Sequence, residues 1–148
     1  QIGNLLSNTA NEFYITGVQL EIGDTATEFE HRSFAEELTL CKRYYQVIVH
    51  GSGDRVGTGG YYSSSGVQFP IRFNPVMRAS PTIVTVTGSN YWTINGNGND
   101  YLNSVTLDNA TTRSMSVYNN SEASGTAGYH GILVTGNANS YLHATAEL

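Results

Sequence analysis

Alternation of apolar and polar residues over short segments constrains the fold of this chain more than any other feature. The clearest case is residues 67–73, where Val, Phe, Ile and Phe alternate with Gln, Pro and Arg. A period of two places all the apolar side chains on one face, which is the pattern of a half-buried β-strand. Pro70 lies on the polar side and indicates an edge position or a bulge.

Other segments typical of strands recur at a spacing of roughly ten residues, most of them followed by Gly or Asn. They cover residues 45–50, 82–87, 91–94, 102–107, 113–118, 129–135 and 140–148. Two segments, 51–60, which is rich in Gly, and 95–100, in which Asn and Gly alternate, are interpreted as loops between them. This arrangement predicts an all-β fold: an antiparallel β-sandwich, jelly-roll-like, with many turns.

The first part of the chain has a different character. Residues 13–22 alternate so that Tyr14, Val18 and Ile22 share one face, which predicts a further strand, and an acidic stretch over 25–32 follows it. We therefore divide the chain into an extended β arm and connector, residues 1–33, and a head domain, residues 34–148. Because the sequence starts without Met, we expect it to be a piece of a longer protein.

One short helix is predicted between the arm and the strands. Ser33, with Glu36 three residues later, has the form of a capping box. The residues that follow at helical spacing form a single apolar stripe: Phe34, Leu38, Cys41 and Tyr45. A helix over about 34–44 with one such stripe must pack on a sheet or on a partner chain, so these four residues are candidates for an oligomer interface.

Charge is scarce and unevenly distributed. Charged residues make up 13% of the 148 residues, and the net charge of −5 comes mainly from the acidic residues of 1–37. The remainder is nearly neutral and has no basic stripe, which argues against nucleic-acid binding. No apolar run is long enough to insert in a membrane. A neutral surface rich in hydroxyl and amide groups suits an uncharged ligand such as a glycan.

No motif predicts catalysis, a metal site or a cofactor. The four His have no paired spacing and Cys41 is the only Cys. Within 95–100, oxygen-bearing residues alternate as in a calcium loop, but only Asp100 is charged. Hydrolysis of a glycan needs two carboxylates across a cleft, and the acids beyond residue 37 fall in predicted loops or at the chain end. We therefore expect a protein that is not an enzyme.

Aromatic and amide side chains beside the predicted loops form the candidate ligand site. Flat rings cover the apolar faces of sugars, and amides bond their hydroxyls. The same rings also suit the ends of a sandwich core or a subunit interface. The candidate glycan-binding residues are Tyr61, Tyr62, Tyr91, Trp92, Asn95, Asn97, Asp100 and Tyr101.

Three phrases of the sequence resemble phage tail fibre and tailspike proteins. The first is Phe-Tyr-Ile-Thr-Gly-Val-Gln-Leu-Glu-Ile-Gly from residue 13, followed by the acidic connector and Glu-Glu-Leu-Thr-Leu-Cys-Lys-Arg-Tyr-Tyr-Gln over 36–46. The second is Phe-Asn-Pro-Val-Met-Arg-Ala-Ser-Pro-Thr over 73–82, and the third closes the chain at 144–148. In that family the first phrase looks like the last strand of a carbohydrate-binding-type jelly roll and a helix that opens a C-terminal domain.

The resemblance implies the position and role of the chain in a virion. We expect the distal, C-terminal head of a homotrimeric tail fibre or tailspike, outside the cell, that helps the particle attach to a bacterial surface polysaccharide. The remaining strands of the upstream jelly roll are missing from this sequence, so residues 1–30 cannot form that domain alone. A structural cap that trimerises the fibre without binding a ligand is the alternative.

Overall fold

The computed structural model describes residues 14–96 and 98–147, which form two units divided between Ser33 and Phe34. Residues 14–33 of the first unit contain no helix or strand. The strand predicted over 13–22 is therefore not formed in its described part, 14–22, because no second strand within residues 14–96 and 98–147 supplies it with the backbone bonds of a ladder. Phe13 lies outside the described residues. Polar contacts hold this unit instead: the Glu21 carboxylate accepts a hydrogen bond of 2.6 Å from the Thr27 N–H.

The described residues of the second unit form one helix and ten strands. The helix, α1, spans Phe34–Lys42, with Glu36 and Glu37 in its first turn and Lys42 in its last, as the helix dipole favours. The strands are β1 Tyr45–His50, β2 Arg55–Tyr61, β3 Val67–Arg72, β4 Thr82–Thr85, β5 Trp92–Gly96, β6 Gly98–Leu102, β7 Thr106–Ala110, β8 Ser114–Asn119, β9 His130–Thr135 and β10 Tyr141–Thr145.

The strands form two antiparallel sheets. Sheet A has the order β1-β10-β4, and sheet B has the order β6-β5-β9-β2-β3-β8-β7. Neighbouring strands pair antiparallel throughout both sheets, and β10 pairs with β1. The prediction of an all-β sandwich with one short helix is confirmed.

The core lies between the inner faces of the two sheets. Alternation fixes which side chains enter it: in β3, Val67, Phe69 and Ile71 are buried while Pro70 and Arg72 are exposed. Sheet A contributes fewer core residues than sheet B. The largest fully buried apolar side chains are Trp92, Phe69, Met77, Ile94, Leu102, Leu133, Leu142, Val67 and Val117.

The interpretation of residues 51–60 as a loop is wrong for its second half. Arg55 to Tyr61 form β2, which lies between β9 and β3 inside sheet B. The glycines permit close packing there: a Cβ at Gly59 would lie 2.1 Å from the carbonyl oxygen of Gln68 and 2.5 Å from the Phe69 ring. The glycines that indicated a loop are therefore needed within β2, because a side chain at Gly59 would not fit between the strands.

Three other predictions need correction. The loop predicted over 95–100 is a tight hairpin in which Gly96 pairs with Gly98, so β5 and β6 continue almost to the turn. The strand predicted over 102–107 is interrupted, because β6 ends at Leu102 and β7 begins at Thr106. Pro70 lies inside sheet B, where its missing N–H is tolerated because the β2–β3 ladder runs only over Gly60–Tyr61 and Val67–Gln68.

Candidate functional site

A shallow groove of about 420 Å³ crosses the middle of sheet B. We call it the β2 groove. It is lined by Thr58, Gly59, Gly60, Tyr61, Tyr62, Gln68, Pro70, Ser116 and His130. Cross-strand register brings these residues together from four neighbouring strands: Gly60 pairs with Gln68 on one side and with His130 on the other, and Pro70 pairs with Ser116.

The groove opens on the outer face of the sheet. Phe69 of β3 is buried in the core, so its neighbours Gln68 and Pro70 point away from the core and into the groove. None of the lining residues is Asp, Glu, Lys or Arg, and His130 is the one ionisable residue besides the tyrosines. A ligand in this groove therefore meets hydroxyl, amide, imidazole and aromatic groups rather than a fixed charge.

Tyr62 provides a rigid aromatic surface at the edge of the groove. A Cβ at Gly66 would lie 2.4 Å from the Tyr62 ring, so the ring packs directly on the backbone of that glycine. The Tyr62 N–H also donates a hydrogen bond of 3.0 Å to the Gly66 carbonyl, which closes the turn after β2. Tyr62 nevertheless remains 54% exposed, so the ring is held in place while much of it stays open to solvent.

Two polar side chains in the groove are fixed by hydrogen bonds. The Gln68 amide donates to a carboxylate oxygen of Asp108 at 2.6 Å. The bond orients the amide and leaves its carbonyl oxygen as an acceptor. His130 Nδ1 lies 3.3 Å from the Gly59 carbonyl oxygen, which places the imidazole against the backbone of β2. The groove thus presents preset polar groups beside the Tyr62 ring.

A smaller cavity of about 190 Å³, the rim pocket, adjoins the groove and shares Tyr61 and His130 with it. Its remaining lining residues are Gly98, Asn99, Asp100, Ser124, Gly125, Thr126 and Tyr129. Tyr61 donates a hydrogen bond of 3.1 Å to an Asp100 carboxylate oxygen, which also accepts one of 2.6 Å from the Ser124 N–H. Burial, then the hydrogen bond and charge of Asp100, raise the pKa of Tyr61 to about 12.

The structure brings only part of the predicted ligand set together. Tyr61 and Tyr62 line the β2 groove, and Asp100 lies in the rim pocket next to it. Tyr91 lines a different cavity, of about 350 Å³, together with His50 and Tyr141.

The other predicted ligand residues lie elsewhere. Trp92 is fully buried in the core, so its ring offers no surface to a ligand. Tyr101 and Asn95 are exposed on β6 and β5 and line none of the three cavities. Asn97 lies outside the described residues.

Sequence reasoning missed most of the groove, since Tyr61 and Tyr62 are the two of its nine lining residues that were predicted to bind a ligand. Gly60, Gln68 and Ser116 carry no distinctive motif, and His130 has no paired spacing with another His. The available signal was the alternation in β3, which already placed Gln68 and Pro70 on the outer face. Because β2 was interpreted as a loop, the strand that joins these residues to His130 was absent from the prediction.

The predicted interface stripe is exposed in the single chain. No residue of α1 is buried, and Phe34 is 81% exposed. Leu38, Cys41 and Tyr45 are exposed as well. Of the two possibilities left open by the sequence, packing on a sheet of the same chain is not observed, and packing on a partner chain stays a prediction.

Within residues 14–96 and 98–147, no three His, Cys, Asp or Glu side chains come together as a metal site would require. Over the same ranges, neither the groove nor the rim pocket is lined by two carboxylates. In the part of the chain that the structure describes, no helix has the length and apolarity needed to cross a membrane.

Comparison with known proteins finds no match to this chain. No protein-family model, curated protein or solved structure matches the chain. The function is therefore argued from the β2 groove, the exposed surfaces and the sequence phrases.

Proposed function

We propose that this chain is the non-enzymatic, homotrimeric head of a phage tail fibre or tailspike, and that its β2 groove binds an uncharged saccharide of the bacterial surface. The main support for a binding role is the position of Tyr62. Its ring packs on Gly66 and is still 54% exposed beside a groove with no charged lining residue. A ring held in this way covers the apolar face of a sugar without losing further conformational freedom on binding.

Other features of the groove support the same ligand class. Hydroxyl groups of Thr58 and Ser116 and the amide of Gln68 are suitable partners for sugar hydroxyls. Because no lining residue carries a fixed charge, a phosphate-rich or strongly acidic ligand gains little there. The sequence phrases that resemble tail fibres and tailspikes support the location in the virion and the trimer, and three grooves would bind a repeating polysaccharide with avidity.

A glycan array followed by titration calorimetry tests the binding role. We expect the intact protein to bind at least one uncharged oligosaccharide, and Tyr62→Ala to weaken binding about tenfold, as loss of an aromatic contact implies. Tyr62→Phe keeps the ring and should bind nearly as well as the wild type. Tyr44→Ala is the matched control, because Tyr44 is similarly exposed but packs under Arg78 and lines none of the three cavities. Equal affinities of Tyr62→Ala and Tyr44→Ala would refute the assignment of the groove.

A structural cap that assembles the fibre without binding a ligand is the second candidate. It is favoured by the exposure of the α1 stripe, since no residue of the helix is buried. Silence of the array across host polysaccharides, combined with a trimeric mass, would support this function instead. A monomeric mass would leave it without support.

A further inference from the structure

The rim pocket contains a single negative charge beside the uncharged β2 groove. Asp100 lies half-buried in its wall, and among the described residues no other Asp, Glu, Lys or Arg lines either cavity. Within residues 14–96 and 98–147, no Lys or Arg forms an ion pair with Asp100. The carboxylate therefore carries a charge that these residues do not compensate.

Hydrogen bonds orient the Asp100 carboxylate without using its full capacity as an acceptor. Its Oδ2 accepts from the Tyr61 hydroxyl at 3.1 Å and from the Ser124 N–H at 2.6 Å, and its Oδ1 accepts from the Tyr101 N–H at 3.0 Å. An ionised carboxylate offers about four acceptor sites, so one remains on Oδ1. Because all three donors are neutral, the group is suited to a further donor that brings a positive charge.

The wall of the rim pocket is built before any ligand arrives. The segment between β8 and β9 is tied to the end of β2 and the turn after it: the Gly128 N–H donates to the Tyr61 carbonyl at 2.8 Å, and the Gly125 N–H donates to the Ser64 carbonyl at 2.9 Å. A Cβ at Gly125 would lie 2.3 Å from the Tyr61 ring, so this ring packs directly on the glycine. A pocket fixed in this way loses little conformational freedom when it is filled.

The size and lining of the rim pocket indicate a small cationic group. Its volume of about 190 Å³ is below the range of about 300–1,000 Å³ that holds whole small ligands, so it suits one substituent of a sugar. Asn99 and Thr126 add oxygen acceptors, and the rings of Tyr61 and Tyr129 attract cations. A metal ion fits less well, because no three His, Cys, Asp or Glu come together among the described residues.

We propose that the rim pocket binds a protonated primary amine of a saccharide whose adjoining unit lies in the β2 groove, with Asp100 as the counter-charge. This inference rests on the proposed function and names the substituent that determines specificity. Tyr61 and His130 line both cavities, so two linked units can occupy them together, and the unit in the groove stays uncharged. An N-acetyl group in place of the amine has no charge and one N–H instead of three, so it gains less from Asp100.

Titration calorimetry with matched sugars tests the charge preference. The probes are tetrasaccharides of glucosamine and of galactosamine, each with free amines and in the N-acetylated, uncharged form. If the array selects another uncharged saccharide, that saccharide and its derivative with one hydroxyl replaced by an amine are used as the pair. At about pH 7, where a primary amine with a pKa of about 8 is mostly protonated, we expect the amine form to bind about three- to tenfold more tightly. The preference should shrink when NaCl is raised from about 50 mM to about 500 mM, because salt screens the charge pair.

Three variants assign this preference to its residue. Asp100→Asn removes the charge but keeps an acceptor oxygen, and it should bind both members of a pair with the wild-type affinity for the acetylated one. Asp54→Asn is the matched control, because it removes the same charge from an exposed residue that lines none of the three cavities, and it should keep the preference. Tyr62→Ala should weaken both members alike, since its ring belongs to the groove.

The outcomes separate this inference from the proposed function. Equal binding of both members by the wild type, a preference that survives in Asp100→Asn, or one that is lost in Asp54→Asn would overturn the amine site and leave the groove standing. If circular dichroism shows that Asp100→Asn does not fold, the salt series of the wild type decides, and a preference that does not change with salt would overturn the inference. Silence of the tetrasaccharides and of the whole array would remove the proposed function and this inference with it.

Discussion

The Tyr61 hydroxyl and the Asp100 carboxylate are joined by a hydrogen bond of 3.1 Å that links β2 to β6, although β9 and β5 lie between them in sheet B. Asp100 is held in turn by the Ser124 N–H at 2.6 Å and by the Tyr101 N–H at 3.0 Å. The bond fixes the border between the groove and the rim pocket, which both include Tyr61.

Removal of this hydroxyl should destabilise the fold without changing the shape of the groove. We expect Tyr61→Phe to lower the free energy of unfolding by about 1–3 kcal/mol, because the Asp100 carboxylate loses a donor. Urea denaturation measures the change. Tyr101→Phe is the control: the ring of Tyr101 is half exposed, so loss of its hydroxyl should change stability by less than about 0.5 kcal/mol. Equal effects of the two variants would contradict the role of the Tyr61–Asp100 bond.

Glu122 should stabilise the connection between β6 and β7. Burial alone would raise the pKa of Glu122, but hydrogen bonds from the N–H groups of Asn103 and Ser104 and from the amides of Asn119 and Asn103 outweigh it and lower the pKa. We expect Glu122→Gln to cost about 1–3 kcal/mol in unfolding free energy, measured with urea at neutral pH. Glu147→Gln, at an exposed position near the chain end, should be neutral.

The stabilising effect of Glu122 should be lost at acid pH. Because the pKa of Glu122 is lower in the folded state, its contribution is present above the unfolded pKa of about 4.3 and is lost as pH falls through the folded value. The difference in unfolding free energy between wild type and Glu122→Gln should therefore shrink below about pH 4. A difference that stays constant down to pH 2.5 would show that Glu122→Gln destabilises the protein for a reason other than loss of the charged carboxylate.

His143 should make stability depend on pH near neutrality. Burial first, and then the charge of His50, lower the pKa of His143. The groups that face it are His50, Tyr45 and Tyr141, and the Asp54 carboxylate accepts a hydrogen bond of 2.9 Å from the backbone N–H of His50. The contribution is complete above the unfolded pKa of about 6.5 and is lost as pH falls through the lowered folded value.

Urea titrations at pH 7.5 and pH 5, at one fixed protein concentration, measure this dependence. We expect His143→Gln to flatten it by about 0.2–1 kcal/mol, a range that allows for solvent screening. His31→Gln, in the first unit, should leave the dependence unchanged. An unaltered pH dependence in His143→Gln would contradict the prediction.

Gly59 should tolerate no side chain. A Cβ there would meet the Gln68 carbonyl oxygen at 2.1 Å and the buried Phe69 ring at 2.5 Å, so Gly59→Ala must shift backbone or core. We expect a loss of about 1–3 kcal/mol, measured by urea denaturation. At Gly23 the nearest atom would be 3.9 Å away, so Gly23→Ala is the control and should be neutral. A neutral Gly59→Ala would mean that β2 can move without cost.

Most of the fold could be predicted because most strands bury one face. Alternation located β1, β3, β8 and β9 to within a residue or so, and the capping pattern at Ser33 located α1. Alternation failed to predict β2, because several of its residues are glycines and have no side chain that could alternate. It also failed over 13–22, where alternation is present but the described residues have no neighbouring strand.

The candidate site was less predictable for a related reason. Tyr61, Tyr62 and Asp100 were found because aromatic and acidic residues beside loops stand out in a sequence. His130 and Ser116 reach the groove only through cross-strand register, which is set by pairing between distant segments. Trp92 illustrates the opposite error, since a large ring beside a predicted loop is here at the centre of the core.

The fluorescence of Trp92 can be used to follow folding without an added label. It is the only Trp in the chain and is fully buried, so its emission should be blue-shifted in the native state and should move to longer wavelength when the core opens. Neither the β2 groove nor the rim pocket includes this indole. Intrinsic fluorescence will therefore follow the unfolding of every variant, while sugar binding leaves the signal largely unchanged and needs a separate readout.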